Sequence, residues 1–462
     1  MKRRHLDWLA ANGVKFDHDA LSVVVTAGSY SVRTRKQLRK DDIVAVIPKK
    51  ATLGPITGAL RRVHLDAGRG LWPPKQLLQD DFLLPSVVYF ELLRGKQSQW
   101  FSYLDTINAP PILSLWPESA WGLLDGTDLE GTCSEGLQHC LSYFENNLSP
   151  YLRALSRESA AKEDALGRGW RVSQANIGLF LHAVALSKSR GFFIDEIHGE
   201  ALCPFADLLN HKPSKRETAA TFEEEGEPIP PQLAHVIRLP LMEAAIGSAP
   251  DDEENLVLII LDDVSPNAEL WNFYGENSNA TLLHDYGFVV NENAYDCIHV
   301  SLQHFVDAAE DLSRRDVRRR LEILDKMGGF QELFQLHVSS TIDIHDDMLC
   351  VLYLLVAPDN LVVRDDGDLM LLQLDILEQN GGYENLLAAA VDYKNSQTGR
   401  QALSTLLAKA LKNRRENIAA GEVAERNQLQ STNDAQTNEC IRLARAYRSC
   451  ERAVLDCVMG CI

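Results

Sequence analysis

Two tyrosine-glycine pairs, Tyr274-Gly275 and Tyr286-Gly287, flank a polar Glu-Asn-Ser-Asn turn within the stretch Glu269 to Phe288. A glycine directly after each phenol lets another stretch of backbone approach closely, which suits a narrow site lined by hydroxyls. On composition alone the same stretch reads more simply as a strand, a turn and a capped helix whose tyrosines are core residues with satisfied hydroxyls. A second stretch, Cys203 to His211, carries an apolar run that ends in Asp207, Asn210 and His211. Taken alone, His211 reads as a loop histidine or a general base, and Asp207 as a turn or helix cap.

Together the two stretches resemble the SET-domain protein methyltransferases, and within them the Rubisco large-subunit methyltransferase type. The hallmarks Asn-His, Tyr-Gly-x-x-Ser-Asn and Tyr-Gly-Phe stand here as Asn210-His211, Tyr274 to Asn279, and Tyr286 to Phe288. A further segment, Ser189-Arg190-Gly191-Phe192, resembles the family's Ser-Arg-x-Phe. The resemblance implies an α+β chain. Small β-sheets surround a pseudo-knotted core in which the Asn-His and Tyr-Gly segments pass each other. Residues 1–56 would be the first part of the SET domain, 57–186 a helical insertion, 187–295 the second part with an acidic insertion at 212–255, and 296–462 an all-α substrate-binding domain.

The same resemblance implies S-adenosylmethionine as cofactor and transfer of its methyl group to a lysine of a non-histone protein, such as a ribosomal protein or a translation elongation factor. Methyl transfer from a sulfonium to an amine is an in-line displacement, so a protein contributes mainly alignment and exclusion of water. The amine must also be uncharged, and a narrow desolvated channel with hydroxyl or carbonyl acceptors favours that form. Tyr274 would be the catalytic tyrosine beside the methyl group, with Tyr286 in the same channel. Arg190 would receive the cofactor's carboxylate through its planar, permanently charged fork. Asn210 and His211 would hold the cofactor, and Asp207 would contact substrate. No metal is needed.

In one place the chain departs from the family. Counted back from Pro48-Lys49, the Gly-x-Gly loop whose backbone receives the cofactor falls on Ser29-Tyr30-Ser31, just after a lone Gly28. Glycine serves where a ligand nears the main chain or where φ is positive, so serine there costs contact or strain. Two alternatives therefore stand beside the enzyme: a binding module of this fold with impaired cofactor affinity, and a methyltransferase whose acceptor is histidine.

Composition sets wider bounds. At 462 residues with 45% apolar content the chain exceeds one core and suggests two or three domains. A net charge of -19 argues against general nucleic-acid binding, which needs a basic face, and is compatible with a basic protein partner. The nine cysteines are scattered with no C-x-x-C pair, so neither a zinc site nor a disulfide framework is expected, and reduced thiols in the cytoplasm or nucleus are. The first residues lack the apolar run of a signal peptide, and no segment is long enough to span a bilayer.

Periodicity places the elements that must position these residues. A short amphipathic helix is expected over His5 to Ala11, and strands over Leu21 to Thr26, around Val32, and over Ile43 to Pro48, with a turn at Gly28. Apolar spacing of three and four predicts helices over Phe82 to Leu93, Gly136 to Leu155 and Ala175 to Leu186, and Ser156 to Gly169 reads as a polar connection. Trp100 and Tyr103 match a short Trp-x-x-Tyr motif of the family's insertion and read as core. The acidic insertion reads as solvated around a short apolar patch, and Leu256 to Leu261 as a strand. Beyond Asn291 helices are expected over Leu302 to Leu312, Val317 to Met327, Phe330 to Leu336, Asp346 to Ala357, and on through Lys412. Arg414 to Asn438 reads as polar with a loop, and the segment from Ala446 resembles the family's final helix. The basic run Arg314 to Arg320 reads as a solvated helix face.

Overall fold

The fold was analysed on a computed structural model. It describes residues 2–26, 29–79, 81–159, 177–212, 236–240, 254–326, 333–337, 344–356, 382–428 and 435–462. The turn expected at Gly28, most of the polar connection after Ser159, and the acidic runs at 223–225 and 251–253 lie outside them. The chain divides into two compact units. One holds Met1–Trp116, Thr132–Asn277 and Thr281–Val290; the other holds Pro117–Gly131, Ser278–Ala280 and Asn291–Ile462.

The first unit carries two four-stranded sheets. Strands β1 (Lys15–Phe16), β2 (Leu21–Thr26), β3 (Ser29–Thr34) and β4 (Ile43–Pro48) are followed by the small hairpin of β5 (Gly191–Phe193) and β6 (Glu200–Leu202). Then come β7 (Asn210–His211), β8 (Val236–Pro240), β9 (Asn255–Ile260) and β10 (Glu269–Asn272). One sheet has the order β1-β4-β9-β8 and the other β2-β3-β10-β7. In β3 the pleat alternates: Tyr30, Val32 and Thr34 are buried while Ser29, Ser31 and Arg33 turn to the other face. The apolar patch within the acidic insertion is thus a strand, β8, pairing antiparallel with β9 from Val236↔Ile260 to Pro240↔Leu256. The strand, Val-Ile-Arg-Leu-Pro, ends in proline at a sheet edge, where a missing N–H is tolerated.

Helices cover this core. Leu83–Arg94 and Ile177–Arg190 form where apolar residues recur every three or four positions, and Phe180, Ala183, Val184 and Leu186 are fully buried. The expected helix near 136–155 runs as Thr132–Tyr143, a widened turn Phe144–Leu148, and Ser149–Ser159. Trp100 and Tyr103 are core residues, at 1% and 0% exposure.

The second unit is mainly helical, with Leu302–Ala308, Arg314–Lys326, Asp346–Val356, Gly382–Asn395, Gln397–Gln428 and Ala435–Gly460. Two expectations change. Instead of a helix over Phe330 to Leu336 there is a strand, β12 (Leu333–His337), antiparallel to β11 (Cys297–Ser301), so the unit is not purely α. Its alternation decides this: Phe334 and Leu336 face the core while Leu333, Gln335 and His337 face outward. The polar stretch from Arg414 is helix as far as Gln428 and again from Ala435, and the loop expected within it lies outside the described residues. The basic run is helical, but Arg320 is 1% exposed and donates through Nη1 to the Leu354 carbonyl at 2.7 Å. It is therefore not part of a wholly solvated face.

Candidate active site

Strands β7 and β10 run parallel, with Trp271 opposite Asn210 and Asn272 opposite His211. This pairing brings the Asn-His segment alongside the chain as it enters Tyr274. Before β7 the backbone turns sharply: Phe205, buried at 1%, sits at φ 79°, and the short turn Ala206–Leu208 follows. A bulky residue at positive φ costs of order 1–3 kcal/mol and persists only where its surroundings hold it. Here Phe205 packs on Phe16, with ring centroids 4.7 Å apart.

The Tyr-Gly segment is fastened to β7 at two points. The Tyr274 backbone N–H donates to His211 Nδ1 at 3.1 Å, and the Tyr274 hydroxyl donates to the Leu209 carbonyl at 2.8 Å. His211 is 8% exposed, and burial pushes its ring down to about 4, so it is neutral and keeps Nδ1 as an acceptor. Its function here is to anchor a backbone rather than to move protons. Burial raises the Tyr274 phenol above its ordinary range, which keeps it protonated. Because that hydroxyl proton points at Leu209 O, the lone pairs of the Tyr274 oxygen are what the phenol can offer elsewhere.

Aromatic rings surround this phenol. Tyr286 stacks on Tyr274 with centroids 5.1 Å apart, His211 lies 5.0 Å away, and Phe288 meets Tyr274 edge-on at 6.4 Å. Gly287, at φ 70°, ends the turn carrying Tyr286, and a Cβ there would stand 3.0 Å from the Pro111 backbone. Only glycine combines that conformation with that approach. Tyr286 also opens onto a cavity of about 580 Å³ shared with Asp81, Glu200, Asp285 and Asn277.

A second polar group gathers around Asp207. Arg190, at the end of its helix, donates from Nη1 to the Asp207 carbonyl at 2.9 Å and to Oδ2 at 3.2 Å. Tyr103 donates to the same Oδ2 at 2.8 Å. The Asp207 side chain is wholly enclosed, whereas 18% of the Arg190 side chain stays exposed. The part expected of Asp207, a direct contact with substrate, is therefore not what this geometry supports. In this arrangement both Arg190 and Tyr103 donate to its carboxylate, so it pairs with Arg190. Asn210 donates from Nδ2 to the Tyr30 carbonyl at 3.1 Å and to Glu269 Oε1 at 2.9 Å, leaving its amide oxygen as the free acceptor.

Ser29, Tyr30 and Ser31 lie in regular antiparallel register with β2, Ser29 opposite Thr26 and Ser31 opposite Val24. Neither serine has a positive φ. The strain expected from replacing glycine does not arise, since extended backbone accepts any side chain. Tyr103, Glu269 and Phe288 are contributors that sequence reasoning did not assign. Tyr103 stood in a noticed motif but was indistinguishable from any core aromatic, and nothing local marks Glu269 as the partner of Asn210.

No family model matches the chain. It is 26% identical to ribosomal lysine N-methyltransferase 3 of Saccharomyces cerevisiae, over 46% of this chain and 50% of that one. It is also 26% identical to the chloroplastic fructose-bisphosphate aldolase-lysine N-methyltransferase of Arabidopsis thaliana, over 48% and 42%. The chain thus spans about half the length of the curated relatives it matches. Among solved structures it is similar to the SET domain of LSMT bound to lysine and AdoHcy, with a TM-score of 0.59 at 17% identity, covering 99% of this chain and 90% of that one. The structure of Rubisco LSMT bound to AdoMet gives 0.56 at 16% identity, with the same coverage. Near-complete coverage at these scores, together with the β7–β10 pairing under the Tyr-Gly segment, means that this chain has the SET-domain fold of Rubisco LSMT.

Proposed function

We propose that the chain is an S-adenosylmethionine-dependent protein-lysine N-methyltransferase acting on a non-histone protein, with a ribosomal protein or a translation elongation factor as the preferred substrate class. The observation that carries this reading is the Tyr274 phenol. Its proton is committed to Leu209 O, its ring is stacked on Tyr286, and its oxygen is left with lone pairs only. Similarity to a ribosomal lysine methyltransferase supports the substrate class.

The residues present fit the cofactor. For its amino-acid end there is an Arg190 guanidinium with an exposed edge for a carboxylate, and an Asn210 amide oxygen for an ammonium. Arg190 Nε and Asp207 Oδ1 are both enclosed without a partner, so this spot is more polar than its internal bonds require. When bound, S-adenosylmethionine supplies an electrophilic methyl group on a sulfonium.

Everything else falls to the chain. Arg190 and Asn210 bind and orient. The rings of Tyr274, Tyr286, Phe288 and His211 exclude water, which favours the uncharged form of an entering amine. Tyr274 oxygen, held by its own hydrogen bond, presents fixed lone pairs to whatever partial positive charge develops beside it. The regular strand at Ser29 to Ser31 removes the strain expected of serine there, and the titration below decides between the enzyme and the impaired module.

The test is calorimetric titration with S-adenosylmethionine of the unaltered protein and of Asn210→Ala. Micromolar binding by the former, at least tenfold weaker in the latter, is expected; methylated lysines should then appear in cell extract supplied with labelled cofactor. No binding by the unaltered protein would remove the enzyme reading.

A further inference from the structure

Arg190 is held by a chain of side chains that begins far from it in sequence. Tyr103 belongs to the short helix Phe101–Leu104 and is itself wholly buried, stacked on Trp8 with centroids 5.4 Å apart. His5 packs on it at 5.7 Å and bonds through Nδ1 to Thr106 Oγ1 at 2.7 Å. Tyr103 therefore has one orientation, and its hydroxyl donates to Asp207 Oδ2. The same oxygen takes Arg190 Nη1, which also bonds the Asp207 carbonyl.

A carboxylate with two donors on one oxygen and none on the other can rotate about its Cβ–Cγ bond. Only a fixed donor selects the rotamer. Tyr103 is that donor. Once Oδ2 is fixed, two acceptors hold Nη1 and restrict the guanidinium plane, while part of the Arg190 side chain stays exposed. Without the tyrosine hydroxyl, Arg190 is the donor left on Oδ2 among the described residues, and carboxylate and guanidinium can turn together away from this setting.

We infer that Tyr103, through Asp207, is a positioning residue for the carboxylate-binding edge of Arg190, so that a core aromatic of the helical insertion sets affinity for the amino-acid end of the cofactor. This rests on the proposed function, since it presumes a cofactor with a carboxylate at Arg190. It predicts a selective effect. A phenylalanine at 103 keeps the packing against Trp8 and His5 and removes only the hydroxyl.

The experiment compares unaltered protein, Tyr103→Phe and Asp207→Asn in calorimetric titrations with two ligands. S-adenosylhomocysteine carries the amino-acid end; 5′-methylthioadenosine has the same nucleoside thioether without it. In Tyr103→Phe the Kd for S-adenosylhomocysteine should rise about tenfold, the low end of what a hydrogen bond to a charged group contributes. The Kd for methylthioadenosine should stay within about twofold, the scatter of a change that leaves the interactions it does make intact. Asp207→Asn, which keeps the shape and removes the counter-charge, should repeat the selectivity if Tyr103→Phe folds poorly. Equal weakening for both ligands would show general loosening and overturn the inference, as would no weakening for either. If the unaltered protein binds methylthioadenosine and S-adenosylhomocysteine equally, the carboxylate site itself is absent. If it binds neither, the proposed function has failed and the inference falls with it.

Discussion

Replacing Tyr274 by phenylalanine separates the chemistry of the phenol from its packing. The ring keeps its stack on Tyr286 and its contacts with His211 and Phe288, so little apolar burial is lost. What goes is one hydrogen bond, from the hydroxyl to the Leu209 carbonyl at 2.8 Å. Its loss and the unpaired carbonyl it leaves cost about 1–3 kcal/mol of stability. Against a total of about 5–15 kcal/mol the protein stays folded. The rate is another matter: removing one preorganised polar group from a water-poor site costs about 10²–10³ in kcat, or about 2.7–4 kcal/mol. Arg190 and Asn210 are untouched, so the Kd for S-adenosylmethionine should move less than about threefold, a change of well under 1 kcal/mol. Single-turnover methylation of a lysine substrate beside calorimetric binding would measure both quantities. A folded variant that keeps kcat within about tenfold of the unaltered protein would refute the role given to the phenol, since a preorganised group is expected to contribute more. So would a Kd that rises in step with the loss of rate.

Two further outcomes are expected. In the second unit Arg414 Nη2 bridges Asp128 Oδ1 at 2.7 Å and Glu451 Oε1 at 2.9 Å, two enclosed carboxylates sharing one guanidinium. Hydrogen bonds and charge from His299 and Arg414 hold Asp128 below the usual range despite burial, while burial and the neighbouring Asp128 push Glu451 up to about 8. A raised carboxyl binds its proton more tightly in the folded state, so its contribution is present below the unfolded pKa and is lost as pH rises through the folded one. Above about pH 6.5, where the buried histidines are neutral folded and unfolded alike, the thermal midpoint should fall toward pH 8, and Glu451→Gln should flatten that slope; an unchanged slope would reassign the proton. Ser29→Gly with Ser31→Gly should lower stability by about 0.5–1 kcal/mol per site, because both lie in regular strand, and should not tighten cofactor binding. Tighter binding by that variant would revive the impaired-loop alternative.

Some of this was legible in the chain itself. Leu21 to Thr26 read as a strand, and spacing of three and four marked the helices now seen at Leu83–Arg94 and Ile177–Arg190, because such patterns follow from local geometry and from which side meets the core. The motifs around Asn210 and Tyr274 were visible because residue type and order are properties of sequence. Tertiary structure decided what those residues do. That His211 is an acceptor for Tyr274 N–H depends on β7 lying parallel to β10, a pairing across sixty intervening positions that no local propensity encodes. That Asp207 pairs with Arg190 and Tyr103 depends on elements brought together from distant parts of the chain. Burial and partnership are properties of the assembled core: they make His211 a neutral acceptor for a backbone N–H and enclose Asp207 between Arg190 and Tyr103.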